Sequence, residues 1–305
     1  MTPVTPEWAK VDLVTASIPL MVLLVILEMF LARHKGSRSY EVKDTAASLM
    51  MAVGLPLAAI LTGWVGVAAG LAVYQHRLFD IGWTWWALIL CFFAKDFTYY
   101  WMHRFCHESR FWWASHVVHH SSQHFNISTA MRQDWTFAFS MIFVNLMPML
   151  FLGFPPAMIA LFTGITGVYQ VWIHTEHIGK LGPFEWFMNT PSHHRVHHAT
   201  NPRYLDSNHG GFLIIWDRMF GTFVAERDDD PARFGIVSNL GTFNPLRIAF
   251  HEWVAIGRDL AGARSLHEVA GYVFGPPGWS PDGSRDTSAS LRQKWRETST
   301  PAPAE

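Results

Sequence analysis

The chain is poor in cysteine and in charge. Its two cysteines, Cys91 and Cys106, cannot build a disulfide framework and are not spaced as a CxxC motif. Charged residues make up 15% of the 305 residues, against about 25% in an average soluble domain, which argues against an ordinary soluble surface. A net charge of −1 provides no basic field for nucleic acid. No haem or iron–sulfur motif occurs, so redox chemistry would have to draw electrons from outside the chain. The first apolar run has no basic segment before it and no small-residue cleavage site behind it. It is therefore expected to persist as a membrane span rather than to be removed as a signal peptide.

What fills the chain instead is apolar bulk: 50% hydrophobic and 15% aromatic residues, with a mean hydropathy of +0.12. Runs near 14–31, 46–74, 83–101, 135–153 and 156–172 are the candidate membrane spans. The last two, joined at Phe154, Pro155 and Pro156, either cross twice or form a hairpin that dips in and returns. Four cations, Arg33, Lys35, Arg38 and Lys43, follow the first run, whereas the next connection carries Arg77 alone. The positive-inside rule then puts the first connection in the cytoplasm. Counting crossings from there, residues 103 and 174 emerge on that same side. Glu28 lies near the end of the first run and is expected to reach the interface. Residues 210–223 suit a segment held at the membrane surface by Phe212, Leu213, Ile214, Ile215 and Trp216.

Histidine, at 17 residues, is the one polar type in excess. His103 and His107 form HxxxH; His116, His119 and His120 form HxxHH; His194, His197 and His198 repeat HxxHH after two apolar runs. On a helix each set lies on one face. A single such motif is more often surface or core than ligand, but three of them meeting at one membrane face point to a shared metal centre. Eight imidazoles exceed the needs of one tetrahedral zinc and suit two ions. His174, which ends the fifth run at the same depth, is expected as a ninth ligand. His177, His193 and His209 are weaker candidates. Asp96 steps with Tyr100, His103 and His107 along one helix face and is expected to accept from a ligand imidazole. Glu108, beside His107, is a candidate to hydrogen-bond or ligate, or else a surface acid.

These motifs, HxxxH, HxxHH and HxxHH over about residues 90–225, resemble those of the fatty acid hydroxylase/sterol desaturase superfamily. The stretches 116–133 (HVVHHSSQHFNISTAMRQ) and 172–223, and more weakly NPLRIAFHEW and GPPGW near the end, look most like its alkylglycerol monooxygenase branch. The resemblance implies an all-α integral membrane protein of about four to five membrane helices, with a cytosolic helical cap holding a His-rich di-metal site. It carries ligand roles onto the eight motif histidines and importance onto Glu108. It also implies two iron ions, O2 as oxidant, and an external reductant that is either a tetrahydropterin or a cytochrome b5- or ferredoxin-type donor. Residues 13–275 would then form one membrane oxygenase domain, after an exposed N-terminus at 1–12 and before a disordered tail at 276–305. The expected partners are a lipid substrate, the bilayer, O2 and an electron donor. The leading expectation is a lipid monooxygenase that is able to cleave ether lipids. A desaturase or methyl oxidase on the same centre is the alternative, and a metal transporter or scaffold a remote one.

Overall fold

The computed structural model describes residues 4–299. All regular structure there is helical, and β-pairing is reduced to isolated bridges such as Met188 with Leu213. The α-helices are α1 (Leu13–His34), α2 (Val42–Gln75), α3 (Trp85–Glu108), α4 (Arg110–His120), α5 (Met147–Leu152), α6 (Pro156–Trp172), α7 (Pro191–His197), α8 (Ile215–Phe220), α9 (Pro245–Gly262), α10 (Leu266–Phe274) and α11 (Ser288–Ser299). Among the described residues, three helices are long and apolar enough to cross a membrane: Leu13–His34, Val42–Gln75 and Pro156–Ile173. The helix expected near 83–101 is present as α3, but Lys95, Asp96, Tyr99 and Tyr100 dilute its apolar character.

α2 shows how the two environments divide. At 34 residues it is about 51 Å long, well beyond the ~30 Å of a bilayer core. Asp44, Thr45, Ala47, Ser48 and Met51 near its start are buried, whereas Val53, Leu57, Ile60, Trp64 and Val67 further along are exposed apolar residues. The first turns thus dock into the layer of short helices, and the rest presents a face suited to lipid. At the junction the Arg132 guanidinium is 1% exposed and is held by the Asp44 carboxylate (2.5 Å) and by Ser48 and Ser121.

The run 135–153 is not one spanning helix. Its helical part, Ile142–Leu152, is about 16 Å long, half a bilayer. The chain nevertheless follows α2 along most of its length: Trp135 Nε1 donates to the Met51 carbonyl (2.8 Å), Phe143 packs on Gly66, Leu150 packs on Gly70, and Leu78 N donates to the Phe151 carbonyl. Gly153 then turns the chain back into α6 at φ +110, where a Cβ would lie 1.8 Å from the Phe79 carbonyl oxygen. Only glycine tolerates both conditions.

Three expectations are corrected here. Glu28 does not reach the interface. It is buried and accepts from Tyr40 Oη and Ile127 N (both 2.7 Å) and from Thr175 Oγ1, which ties α1 to the loops beside His174. Residues 276–299 are not a disordered tail: Arg285 pairs with Asp259, Arg292 donates to the Leu205 carbonyl, and α11 forms within the segment. Its polar composition concealed an order that comes from charge pairing and from Trp279, which packs on Gly271 and Tyr272. Residues 300–305 of that expectation lie outside the described residues. The N-terminus is exposed at Val4 but packs at Ala9 and, through Trp8, on Trp83; residues 1–3 lie outside the described residues.

Candidate metal centre

The histidines come from four places in the chain. α3 ends with His103 and His107, and α4 starts two residues later with Ser109 between them. The extended backbone of Ser109 (φ −127, ψ 128) breaks the helix, so α4 folds back on α3 and brings its HxxHH against the HxxxH. The short α7 carries the second HxxHH, with Thr190 accepting from His193 N as its cap and Pro191 at its first position. His174 lies just past the end of α6.

All nine expected histidines come together, and they divide into two groups. His103, His107, His116, His120 and His197 form one; His119, His174, His194 and His198 form the other. Within each, the ligand atoms lie within 4.8 Å of one another. The two HxxHH motifs divide in opposite senses. On α4 the i and i+4 residues face the first group and the i+3 residue faces the second; on α7 the assignment is reversed. The groups touch where the His120 and His198 rings stack at 4.3 Å.

The protons are distributed as metal ligation requires. Nδ1 of His103 donates to the His209 carbonyl (2.8 Å), His119 to Arg132 (3.3 Å), His174 to Gln170 (2.7 Å) and His197 to Ser207 (3.0 Å). A carbonyl can only accept, so these Nδ1 atoms carry the hydrogens and the Nε2 lone pairs point inward. There they face other Nε2 atoms: His103 and His116 at 2.9 Å, His116 and His120 at 3.1 Å, His119 and His174 at 3.1 Å, His174 and His194 at 2.9 Å. His107 Nε2 and His197 Nε2 are buried with no hydrogen-bond partner. Lone pairs this close repel unless a cation lies among them. Nitrogens about 2.0–2.1 Å from a common ion sit roughly 3.0–3.4 Å apart, close to the spacing observed. Burial, and then the neighbouring imidazoles, hold His116, His120, His194, His197 and His198 well below the usual histidine range, and His119 is pushed down to about 4. All are therefore neutral near pH 7 and able to donate a lone pair.

Asp96 and Glu108 lie elsewhere. Asp96 accepts from Phe212 N (2.8 Å), Leu213 N (3.1 Å) and Trp216 Nε1 (2.9 Å), not from an imidazole. The 212–216 loop covers that face of α3 and supplies all three donors. Glu108 turns outward and pairs with Arg104 (2.7 Å), its side chain 44% exposed. The helix rotation that points His107 inward points its neighbour out. His193 packs on Phe223, His177 lies 3.4 Å from Ser39 Oγ, and His209 reaches the centre through its carbonyl.

Two aspartates were missed. Asp206 Oδ1 lies 3.4 Å from His107 Nδ1. Asp217, fully buried, accepts from His209 N and Gly210 N (both 2.7 Å) and from Thr222 Oγ1 (2.6 Å). The turn-forming DSNHGG stretch after the second HxxHH was the available signal. Beside the first group a cavity of about 300 Å³ reaches His107, His120, His197 and His198 and is lined further out by Arg110, Trp113, Glu252 and Arg285.

Comparison with known proteins agrees with this layout. Residues 88–222, which hold all nine histidines, match the fatty acid hydroxylase family. The chain is 38% identical to the alkylglycerol monooxygenase of Xenopus tropicalis over 86% of its own length and 58% of that protein. It is 36% identical to the human alkylglycerol monooxygenase over 90% of its length and 61% of that protein. An ornithine lipid hydroxylase of Rhizobium tropici is 27% identical over 45% of this chain and 41% of that protein. The chain thus spans about three fifths of the length of the alkylglycerol monooxygenases it matches. No solved structure matches. Residues 88–222 of the chain thus form a fatty acid hydroxylase domain.

Proposed function

We propose that this protein is a membrane-bound, O2-dependent di-iron monooxygenase that hydroxylates a lipid chain and, with an ether lipid as substrate, cleaves it. The observation that carries the proposal is the pair of inward-facing imidazole groups, in which four Nδ1 hydrogens, two in each group, are committed to backbone carbonyls. His103, His107, His116, His120 and His197 would hold one ion, and His119, His174, His194 and His198 the other. Bound iron would supply the O2 activation that an unactivated C–H bond requires.

The chain's own contribution is placement. The carbonyls of Gln170, Arg132, Ser207 and His209 hold His174, His119, His197 and His103 in one tautomer and orientation. The apolar faces of α1, α2 and α6 give a lipid chain a route from the bilayer. Adding one oxygen atom of O2 to the carbon beside an ether oxygen, with two electrons and two protons reducing the other to water, gives a hemiacetal. The hemiacetal then separates into an aldehyde and an alcohol. The electrons come from an external donor, a tetrahydropterin or a cytochrome b5- or ferredoxin-type protein, and the cavity beside His107 is a polar approach for it.

A cytoplasmic location of the centre is supported by the connection between α1 and α2. It carries the cations Lys35 and Arg38, with Arg33 and Lys43 in the flanking helix turns, and lies at the histidine end: the Arg38 carbonyl accepts from His124 Nδ1 and the Ser39 carbonyl from Asn126 Nδ2. In the test, the purified protein is expected to hold two irons per chain and to convert an alkylglycerol to an aldehyde with O2 uptake. Protein without iron, or a cellular lipid profile unchanged by His119→Ala, refutes the proposal. Products that have lost two hydrogens instead of gaining oxygen would identify a desaturase.

A further inference from the structure

Lys95 lies in the apolar stretch of α3, 4% exposed. Among the described residues its ammonium makes no hydrogen bond or ion pair; it lies over the face of the Tyr99 ring, 5.2 Å from the centroid. The carboxylate next in sequence attracts it only through space, because Asp96 makes no contact with it and is occupied by Phe212, Leu213 and Trp216. A buried cation left this way is costly, so it marks a place where something binds.

The surroundings indicate what. Lys95, Tyr99 and His103 step by four along one face of α3, and the Tyr99 ring lies 5.3 Å from the ring of His103 in the first histidine group. On α6, Gln170 sits one turn before His174 of the second group, and its backbone carbonyl accepts from His174 Nδ1. Its side-chain amide, with Nε2 buried, is directed at the Tyr99 hydroxyl. Two buried donors on two helices therefore flank Tyr99 one to two turns before the histidine groups, and its hydroxyl serves the Gln170 amide alone, leaving the Lys95 ammonium without an acceptor. Such a pair fits a ligand that brings oxygen acceptors out of the bilayer.

We propose that Lys95 and Gln170 form the subsite for the oxygens of an alkylglycerol, the ether oxygen and the neighbouring hydroxyl, with Tyr99 as its wall. This rests on the lipid-hydroxylase reading above. Donors holding the ether oxygen present the adjacent CH2 to the histidine groups and leave the hydrocarbon chain in apolar surroundings. Lys95 and Gln170 then act as specificity determinants, and a chain without the ether oxygen gains nothing from them.

The test compares an alkylglycerol with its carba-analogue, in which CH2 replaces the ether oxygen. Wild type, Lys95→Met, Lys95→Arg and Gln170→Leu are assayed for kcat and KM, for iron content, and for retention of each lipid by the iron-free protein. Lys95→Met is expected to raise KM for the alkylglycerol about tenfold, the loss of one good hydrogen bond. It should change the carba-analogue less than about twofold, lower alkylglycerol retention in parallel, and leave iron unchanged; Lys95→Arg should restore most of the binding. Equal effects on both lipids, or no effect, overturn the proposal. If Lys95→Met does not fold, Gln170→Leu carries the same comparison. Iron-free wild type that retains the alkylglycerol no better than the carba-analogue refutes the subsite whatever the enzyme does. Preferential retention without turnover of any lipid keeps the subsite and refutes the hydroxylase reading.

Discussion

The backbone carbonyl of His209 accepts the Nδ1 hydrogen of His103 at 2.8 Å. His209 thus serves the centre through its main chain, and its position depends on Asp217, which binds its N–H and that of Gly210. The Asp217 carboxylate also accepts from Thr222, whose hydroxyl is then left to accept from Tyr100 Oη at 2.9 Å. One buried carboxylate accordingly orients a metal-facing imidazole from two bonds away and locks the loop to α3.

Asp217→Asn is expected to weaken the first site selectively. An amide can accept from one of the two backbone N–H groups but turns its own NH2 toward the other, so the His209 carbonyl shifts. Outer partners of this kind alter metal affinity about 10- to 100-fold. Metal analysis should show iron falling toward one per chain. Two tightly held irons in the variant would contradict this role.

The division of the histidines makes a second prediction. His120→Ala and His197→Ala come from different helices but face the same group, so each should remove the same iron, and the double variant should lose no more than either alone. His194→Ala should remove the other. Stoichiometry, combined with a spectroscopic signature of each site, separates these outcomes from a uniform loss.

Glu108→Gln breaks only a partly exposed pair with Arg104, of the kind worth at most about 1 kcal/mol, and should leave iron content and Tm unchanged. Asp96→Leu should behave differently. It leaves three buried donors without an acceptor, a loss of roughly 1–3 kcal/mol or more that would be seen as a lower Tm in detergent. If the two variants behave alike, the placement of one of these carboxylates is wrong.

Asp259 gives the C-terminal segment an acid limit. Hydrogen bonds from Arg285 and Arg110 hold its carboxyl down at about 2, below the ordinary 3.8. A depressed carboxyl contributes stability above its unfolded value and loses it as pH falls. Docking of 276–299 should therefore persist above pH 3.8 and weaken between 3.8 and about 2. At neutral pH, Asp259→Asn should speed proteolysis of this segment; equal rates for variant and wild type would remove Asp259 as its anchor.

Much of the centre was legible in the sequence because histidine spacing maps directly onto a helix face: i, i+3 and i+4 share a side in any α-helix. The same holds for the apolar lengths of α1, α2 and α6. Asp96 shows the limit of such reasoning. Its heptad position placed it beneath His103 and His107, yet its partners are Phe212, Leu213 and Trp216, more than a hundred residues away, and no local periodicity encodes a contact of that range. Residues 135–153 show another limit, since an apolar run does not state how much of itself is helical.

The sequence alone determined that nine imidazoles would gather at one end of a set of apolar helices, since helical period and hydrophobic length are local properties. Tertiary structure decided how they divide into five and four, which carbonyls set their tautomers, and that Asp217 rather than Asp96 supports them. These depend on how α4 folds back on α3 and how α7 meets both, and packing between distant segments is what sets those angles.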